Sequence, residues 1–133
     1  MKKTFTLRDI LTVTTGRLLT KRISETDNGI INLYIILEHM TGEPPFTHTL
    51  GRFSNECKPF LLKWFPELDN ADVTELDKIK NTQDGWMEKW LTRCVTEWGM
   101  STEYSVRQIP KKSHAIKNPI SELAEMDYKV DSI

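Results

Sequence analysis

The clearest pattern in the chain runs from Gln83 to Trp98. Trp86, Met87, Trp90, Leu91, Cys94, Val95 and Trp98 recur there at spacings of one, three and four residues. That rhythm places them on one face of a helix, with Glu88, Lys89, Arg93 and Glu97 outside. Gly99 supplies a left-handed exit. Beyond it, Thr102 to Ile109 alternates enough to predict a strand, with Tyr104 and Val106 on one side and Pro110 as its end.

The other elements follow from caps and breakers. Thr6 is placed to cap a first helix, with Asp9 three residues on and Leu7, Ile10 and Leu11 on the inner face. Thr12, Thr14 and Thr15 are poor mid-helix residues because β-branching restricts their rotamers, and Gly16 offers the exit. Arg17 to Ile23 is read as extended, and Asp27-Asn28-Gly29 as a turn or lead-in. Seven of the eight residues from Ile30 to Leu37 are apolar, a run that periodicity cannot divide between buried strand and buried helix. Its continuation to Met40 and the stop at Gly42-Glu43-Pro44-Pro45 favour a helix, with the isoleucines keeping a strand open. Phe46 to Leu50 reads as a loop. Gly51 to Phe65 reads as helix, with Ser54 as a cap and Pro59 expected to break or restart it. Asp72 and Glu75 pair as cap and return for a short helix through Lys80. Asn118 before Pro119 opens a final helix carrying Ile120, Leu123 and Met126, with the last few residues expected to fray.

The predicted fold is therefore mainly α, with α+β still open: a single domain over residues 1–133, with about five helices and one or two short strands. At 133 residues one core is the natural arrangement. Eighteen basic residues against nineteen acidic ones give a net charge of -1, which is not the footprint of a dedicated nucleic-acid binder. Charge is nevertheless uneven. Glu67 to Asp77 holds five carboxylates and no base, and Arg107 to Lys117 holds Arg107, Lys111, Lys112 and Lys117 and no acid. Cys57 and Cys94 each lie in an apolar helical stretch, where free thiols are expected. The start lacks the apolar run of a signal peptide, and no apolar stretch approaches the ~20 residues of a membrane span. A cytoplasmic location without membrane attachment is the expectation.

Candidate chemistry gathers between His39 and Arg52. Two of the three histidines lie there, with Thr41, Thr47, Thr49 and Arg52. Loops after buried helices are where sites are commonly held. Histidine moves protons near neutral pH, and arginine clamps anions through two parallel bonds. Arg17, His39, Thr41, Thr47, His48 and Arg52 are thus the candidate ligand- or partner-binding residues, with a phosphate or carboxylate as the conceivable ligand. The competing reading has them capping helix ends and shaping a turn. No catalytic residue is assigned. His39, His48, Cys57, Cys94 and His114 lack the close spacing of structural zinc ligands, so neither a metal nor a cofactor is expected. Signatures for nucleotide phosphates, dinucleotides and common hydrolases are absent.

Several strings carry a resemblance. They are Thr14-Thr15-Gly16-Arg17-Leu18-Leu19, Ile36-Leu37-Glu38-His39-Met40-Thr41-Gly42, Phe46-Thr47-His48 with Leu50 and Arg52, and Glu56-Cys57-Lys58-Pro59 with Leu61-Leu62. His114, Pro119-Ile120, Glu122-Leu123 and Met126 follow. In this order the chain resembles a family of short tailed-phage and prophage proteins of unassigned function. It departs from that family's pattern at Thr49, at Gly51 and in the double proline before Phe46. The resemblance implies an accessory role in infection, with a protein partner of host or phage origin, and supplies no chemistry. Three function classes result: a binding protein that acts on a host or phage macromolecule, for example to block a defence system; a small-ligand or nucleotide-handling protein or enzyme around Arg17, His39, His48 and Arg52; and a weak nucleic-acid binder using Arg107 to Lys117.

Overall fold

Thr6 ends a strand and begins a helix. Its backbone is extended, and its hydroxyl accepts a hydrogen bond from the Asp9 amide, the cap expected from the sequence. The computed structural model describes residues 2–19, 29–80, 82 and 84–131, with side chains described as far as Glu125. Before Thr6 lies β1 (Lys2–Thr6), which sequence reading did not foresee. It pairs antiparallel with β2 (Glu103–Arg107), setting Phe5 opposite Tyr104 and Lys3 opposite Val106. Tyr104 and Val106 are buried, as the alternation required.

α1 (Leu7–Thr15) runs through its three threonines. Thr12 donates to the Arg8 carbonyl and Thr15 to the Leu11 carbonyl, so the hydroxyls turn back onto the helix. Gly16, at φ +73°, then lets the chain leave in the left-handed region. Leu18 and Leu19 continue without regular structure, and the rest of the stretch expected to be extended, residues 20–23, lies outside the described residues, as do Asp27 and Asn28 of the expected turn.

α2 (Ile30–Thr41) settles the apolar run as a helix. Ile36, Leu37 and Met40 face the core, while Ile31 and Ile35 face outward. α3 (Leu50–Trp64) packs against both α1 and α2 and buries Phe53, Cys57 and Leu61 along one side. Two expectations fail here. Ser54 lies in the second turn of α3 and is not its cap. Pro59 neither breaks nor restarts the helix. Pro59 and Asn55, one turn before it, are both exposed. The carbonyl that the missing amide leaves free can be hydrated, while the buried face holds the helix together. The Phe46 to Leu50 segment holds a 3-10 turn (Thr47–Thr49), and Leu50 already belongs to α3.

α4 (Val73–Ile79) is capped by Asp72, whose side chain accepts from the Glu75 amide. The Glu75 carboxylate does not return the bond and pairs instead with Arg93. α5 (Trp86–Thr96) buries Trp90 and Cys94 completely and half-buries Trp86, Met87, Leu91 and Val95. Past β2, the Ile109 amide donates to the Met40 carbonyl, tying the strand to the end of α2. Asn118 Oδ1 accepts from the amides of Ile120 and Ser121 and opens α6 (Pro119–Asp131). The fold is mainly α with a two-stranded sheet. No helix among the described residues is long and apolar enough to cross a membrane.

Candidate functional site

The six polar residues singled out by sequence go to separate tasks. Arg17 reaches away to α4, where Nη2 and Nε donate to the Asp77 carboxylate at 2.6 and 3.2 Å. His39 Nε2 donates to the Val106 carbonyl at 2.7 Å and so fastens α2 to β2. Thr41 donates to the Leu37 carbonyl in its own helix. Thr47 shares a 2.7 Å hydrogen bond with the Tyr34 hydroxyl. His48 Nε2 donates to the Pro119 carbonyl at 2.9 Å and lies under the Phe46 ring. Arg52 alone sits in a dense polar cluster.

That cluster is the principal polar feature of the site. Arg52 projects from the first turn of α3 to Glu122 on α6, with Nε and Nη2 donating to its two carboxylate oxygens at 2.8 and 2.9 Å. Arg52 Nη1 donates to the Ala115 carbonyl at 2.6 Å and to Glu56, one turn along α3, at 3.2 Å. Glu56 in turn accepts from the Ala115 amide and lies 2.5 Å from His114 Nδ1. On its other side, His114 Nε2 is 3.3 Å from Glu43, and the ring stands edge-on to Phe53. Both contacts of His114 are hydrogen bonds only when both ring nitrogens carry protons, because an ionised carboxylate can only accept. The Arg52 guanidinium holds the Glu122 carboxyl below its ordinary range.

Glu43, Glu56, His114 and Glu122 were not found from sequence as one group. Glu56 stands one helical turn from Arg52, which was visible, but its partners lie about sixty to seventy residues downstream, and no local spacing announces them. The network joins three segments by charge and leaves Arg52 no donor pair for an outside anion. Among the described residues, no group of three histidine, cysteine or acidic side chains is arranged to hold a metal. Burial pushes the thiols of Cys57 and Cys94 up to about 12, which removes them as nucleophiles.

A groove of about 350 Å³ lies between the end of α1 and α3, lined by Thr14, Thr15 and Gly16 on one wall and Ser54, Asn55 and Lys58 on the other. None of the six sequence candidates lines it. The family comparison bears on this half of the molecule. A family described as a domain of unknown function, DUF7736, has a model that matches residues 5–71, half of the chain. The chain belongs to this family. No curated protein and no solved structure matches it.

The DUF7736 region spans Phe5 to Ala71 and so contains α1, α2, α3 and the groove between them. It also contains Arg52, Glu43 and Glu56, whereas His114 and Glu122 lie beyond it. The C-terminal part thus supplies Glu122 to Arg52 and His114 to Glu43 and Glu56 of the DUF7736 region.

The surface around α6 has the opposite character. Glu122 is only 5% exposed, yet Ile120 is 80% exposed, Ile116 83%, Phe46 50% and Leu123 43%. A helix packed by its apolar face would show the reverse pattern. Phe46 lies on His48, His48 holds the Pro119 carbonyl, and Ile120 follows directly. Ile120 and Leu123 thus stand exposed on α6, Ile116 in the segment leading into it, and Phe46 is tied to its start through His48, while Arg52 holds the helix by Glu122.

Proposed function

We propose that this protein is a phage accessory protein that acts by binding a protein partner of host or phage origin in the host cytoplasm, blocking of a host defence system being the role that suits such a binder. The observation that supports this reading is the exposure of four large apolar side chains, Ile120 and Leu123 on α6, Ile116 in the segment leading into it, and Phe46, which stacks on the His48 that holds the Pro119 carbonyl, while Glu122 of the same helix is buried. Exposed apolar side chains gathered in one patch mark interaction surfaces in water-soluble folds. The order of the sequence strings, which resembles that of short tailed-phage proteins, supplies the phage setting.

A small-ligand or catalytic role for Arg17, His39, His48 and Arg52 has less support, because each of these side chains is engaged within the protein, and not in a common cleft. The test is affinity capture from host and infected-cell lysates with the wild-type chain and with Ile116→Ser/Ile120→Ser. The expected result is a defined partner that the wild type retains and the variant loses, with unchanged circular dichroism. Equal recovery by both, or no partner above background, overturns the reading.

A further inference from the structure

The arginines of this protein that face carboxylates are paired off with care. Arg17 has Asp77, Arg52 has Glu122 and Glu56, and Arg93 has Glu75 and Glu97. One end of the sheet departs from that habit. The register sets Lys2 directly opposite Arg107. Residues directly opposite in an antiparallel pair project from the same face with their Cβ atoms ~5 Å apart, and like charges there destabilise the sheet. Among the described residues no carboxylate bridges either cation. Just past the strand, Lys111 and Lys112 are also exposed without an acidic partner, whereas Lys3 projects from the other face of the sheet, over the Phe5 ring. In a chain of net charge -1, this is an uncompensated cationic patch maintained at some cost in stability.

The patch also has an aromatic component. The Arg107 guanidinium lies over the Trp64 ring at 4.9 Å, and Phe60 packs against Trp64 with ring centroids 5.7 Å apart. Trp64 and Phe60 are half-buried and Arg107 is exposed, so solvent reaches the stack. A guanidinium layered on an indole keeps its in-plane donors free, and those of Arg107 have no partner among the described residues. Such a group can hold a phosphate through its edge while its plane offers a stacking surface to a base. Duplex DNA would use only the charge, because its bases are already stacked.

We infer that the Lys2–Arg107 end of the sheet, with Trp64 and the following Lys111 and Lys112, binds single-stranded nucleic acid, phosphates being held by the cations and an unpaired base stacking at Arg107 and Trp64. This inference does not rest on the proposed partner binding at Ile116, Ile120 and Leu123 and stands whether or not those residues have a partner. An acidic protein would satisfy the cations and leave the stack unused, which is why the unpaired strand is the better fit.

The experiment is fluorescence anisotropy with a labelled mixed-sequence DNA strand, the same sequence as RNA, the corresponding duplex, and polyglutamate as competitor, over a range of salt. The expected result is binding to a single strand that exceeds binding to the duplex and falls linearly with log salt. Lys2→Gln and Arg107→Gln should each flatten that slope by about one unit or slightly less. Arg107→Gln should also weaken binding at fixed salt at least about fivefold, since it removes both charge and stacking surface. Lys78→Gln, an equal loss of charge on α4, should change nothing. The DNA and RNA arms decide which strand is the ligand. The inference fails if no single strand binds at low salt, if the duplex or polyglutamate binds as well, or if Arg107→Gln and Lys78→Gln behave alike.

Discussion

Arg52 and Glu122 meet through two parallel hydrogen bonds of 2.8 and 2.9 Å, although they stand 70 positions apart in the chain. The pair joins α3 to α6. Glu122 is almost fully covered, while the apolar residues of α6 that are described face water. The described part of α6, residues 119–125, is therefore held by charge and geometry where most helices are held by apolar burial. The bidentate arrangement is the strong form of such a contact.

Glu122→Gln should destabilise the protein by roughly 1–3 kcal/mol, because it leaves Arg52 with a weaker acceptor in a largely covered place. Chemical denaturation measures the loss. Amide exchange should rise first in α6. A change within experimental error would show that Arg52 is adequately satisfied by Glu56 and the Ala115 carbonyl.

The pH dependence follows from the same pair. Arg52 lowers the folded-state pKa of Glu122 below its unfolded value. The pair therefore contributes fully above the ordinary glutamate value of about 4.3 and is lost as the pH falls through the lower folded value. Asp77, held down by Arg17, acts in the same direction. Asp9 is displaced upward by burial and opposes them. The melting temperature should thus decline as the pH is taken from 6 towards about 3, and Glu122→Gln should make that decline shallower. Equal slopes for wild type and variant would dissociate the pair from acid sensitivity.

Cys57 and Cys94 are fully covered, with thiols pushed up to about 12. The folded protein should react with a thiol reagent at pH 8 far more slowly than the protein in denaturant, where two thiols should be counted. Rapid labelling of either in the native state would contradict its burial.

Trp90 fills the centre of the α5 contact and packs edge-on against Trp98, and its Nε1 has no hydrogen-bond partner among the described residues. Trp90→Ala should cost about 3–5 kcal/mol through the cavity it leaves. Trp90→Phe should cost considerably less, because the lost N–H makes no bond in the native state. Urea denaturation of the two variants distinguishes a volume effect from a polar one.

Much of the architecture was legible in the chain because its signals are local. Thr6, Asp72 and Asn118 cap the helices expected of them, since a cap bonds amides only two or three residues away. The rhythm of Trp86 to Val95 and the alternation at Tyr104 and Val106 were likewise written in neighbouring residues. Pro59 misled because its local penalty is real, but an exposed turn and a well-buried opposite face absorb it. β1 was missed because Lys2 to Thr6 becomes a strand only beside Glu103 to Arg107.

The candidate site was less legible, for the same physical reason. His39, His48 and Arg52 were visible as polar residues in a promising place. Their partners, Val106, Pro119 and Glu122, lie about seventy residues away, and only the packing of α2 and α3 against the later segments brings them within bonding distance. The sequence by itself determined that there are helices here, the caps at Thr6, Asp72 and Asn118, and the buried faces of α1 and α5, because those depend on spacings of a few residues. The tertiary structure alone decided that Glu122 turns inward while Ile120 turns out, and that Lys2 faces Arg107, because charge pairing across space has no period along the chain.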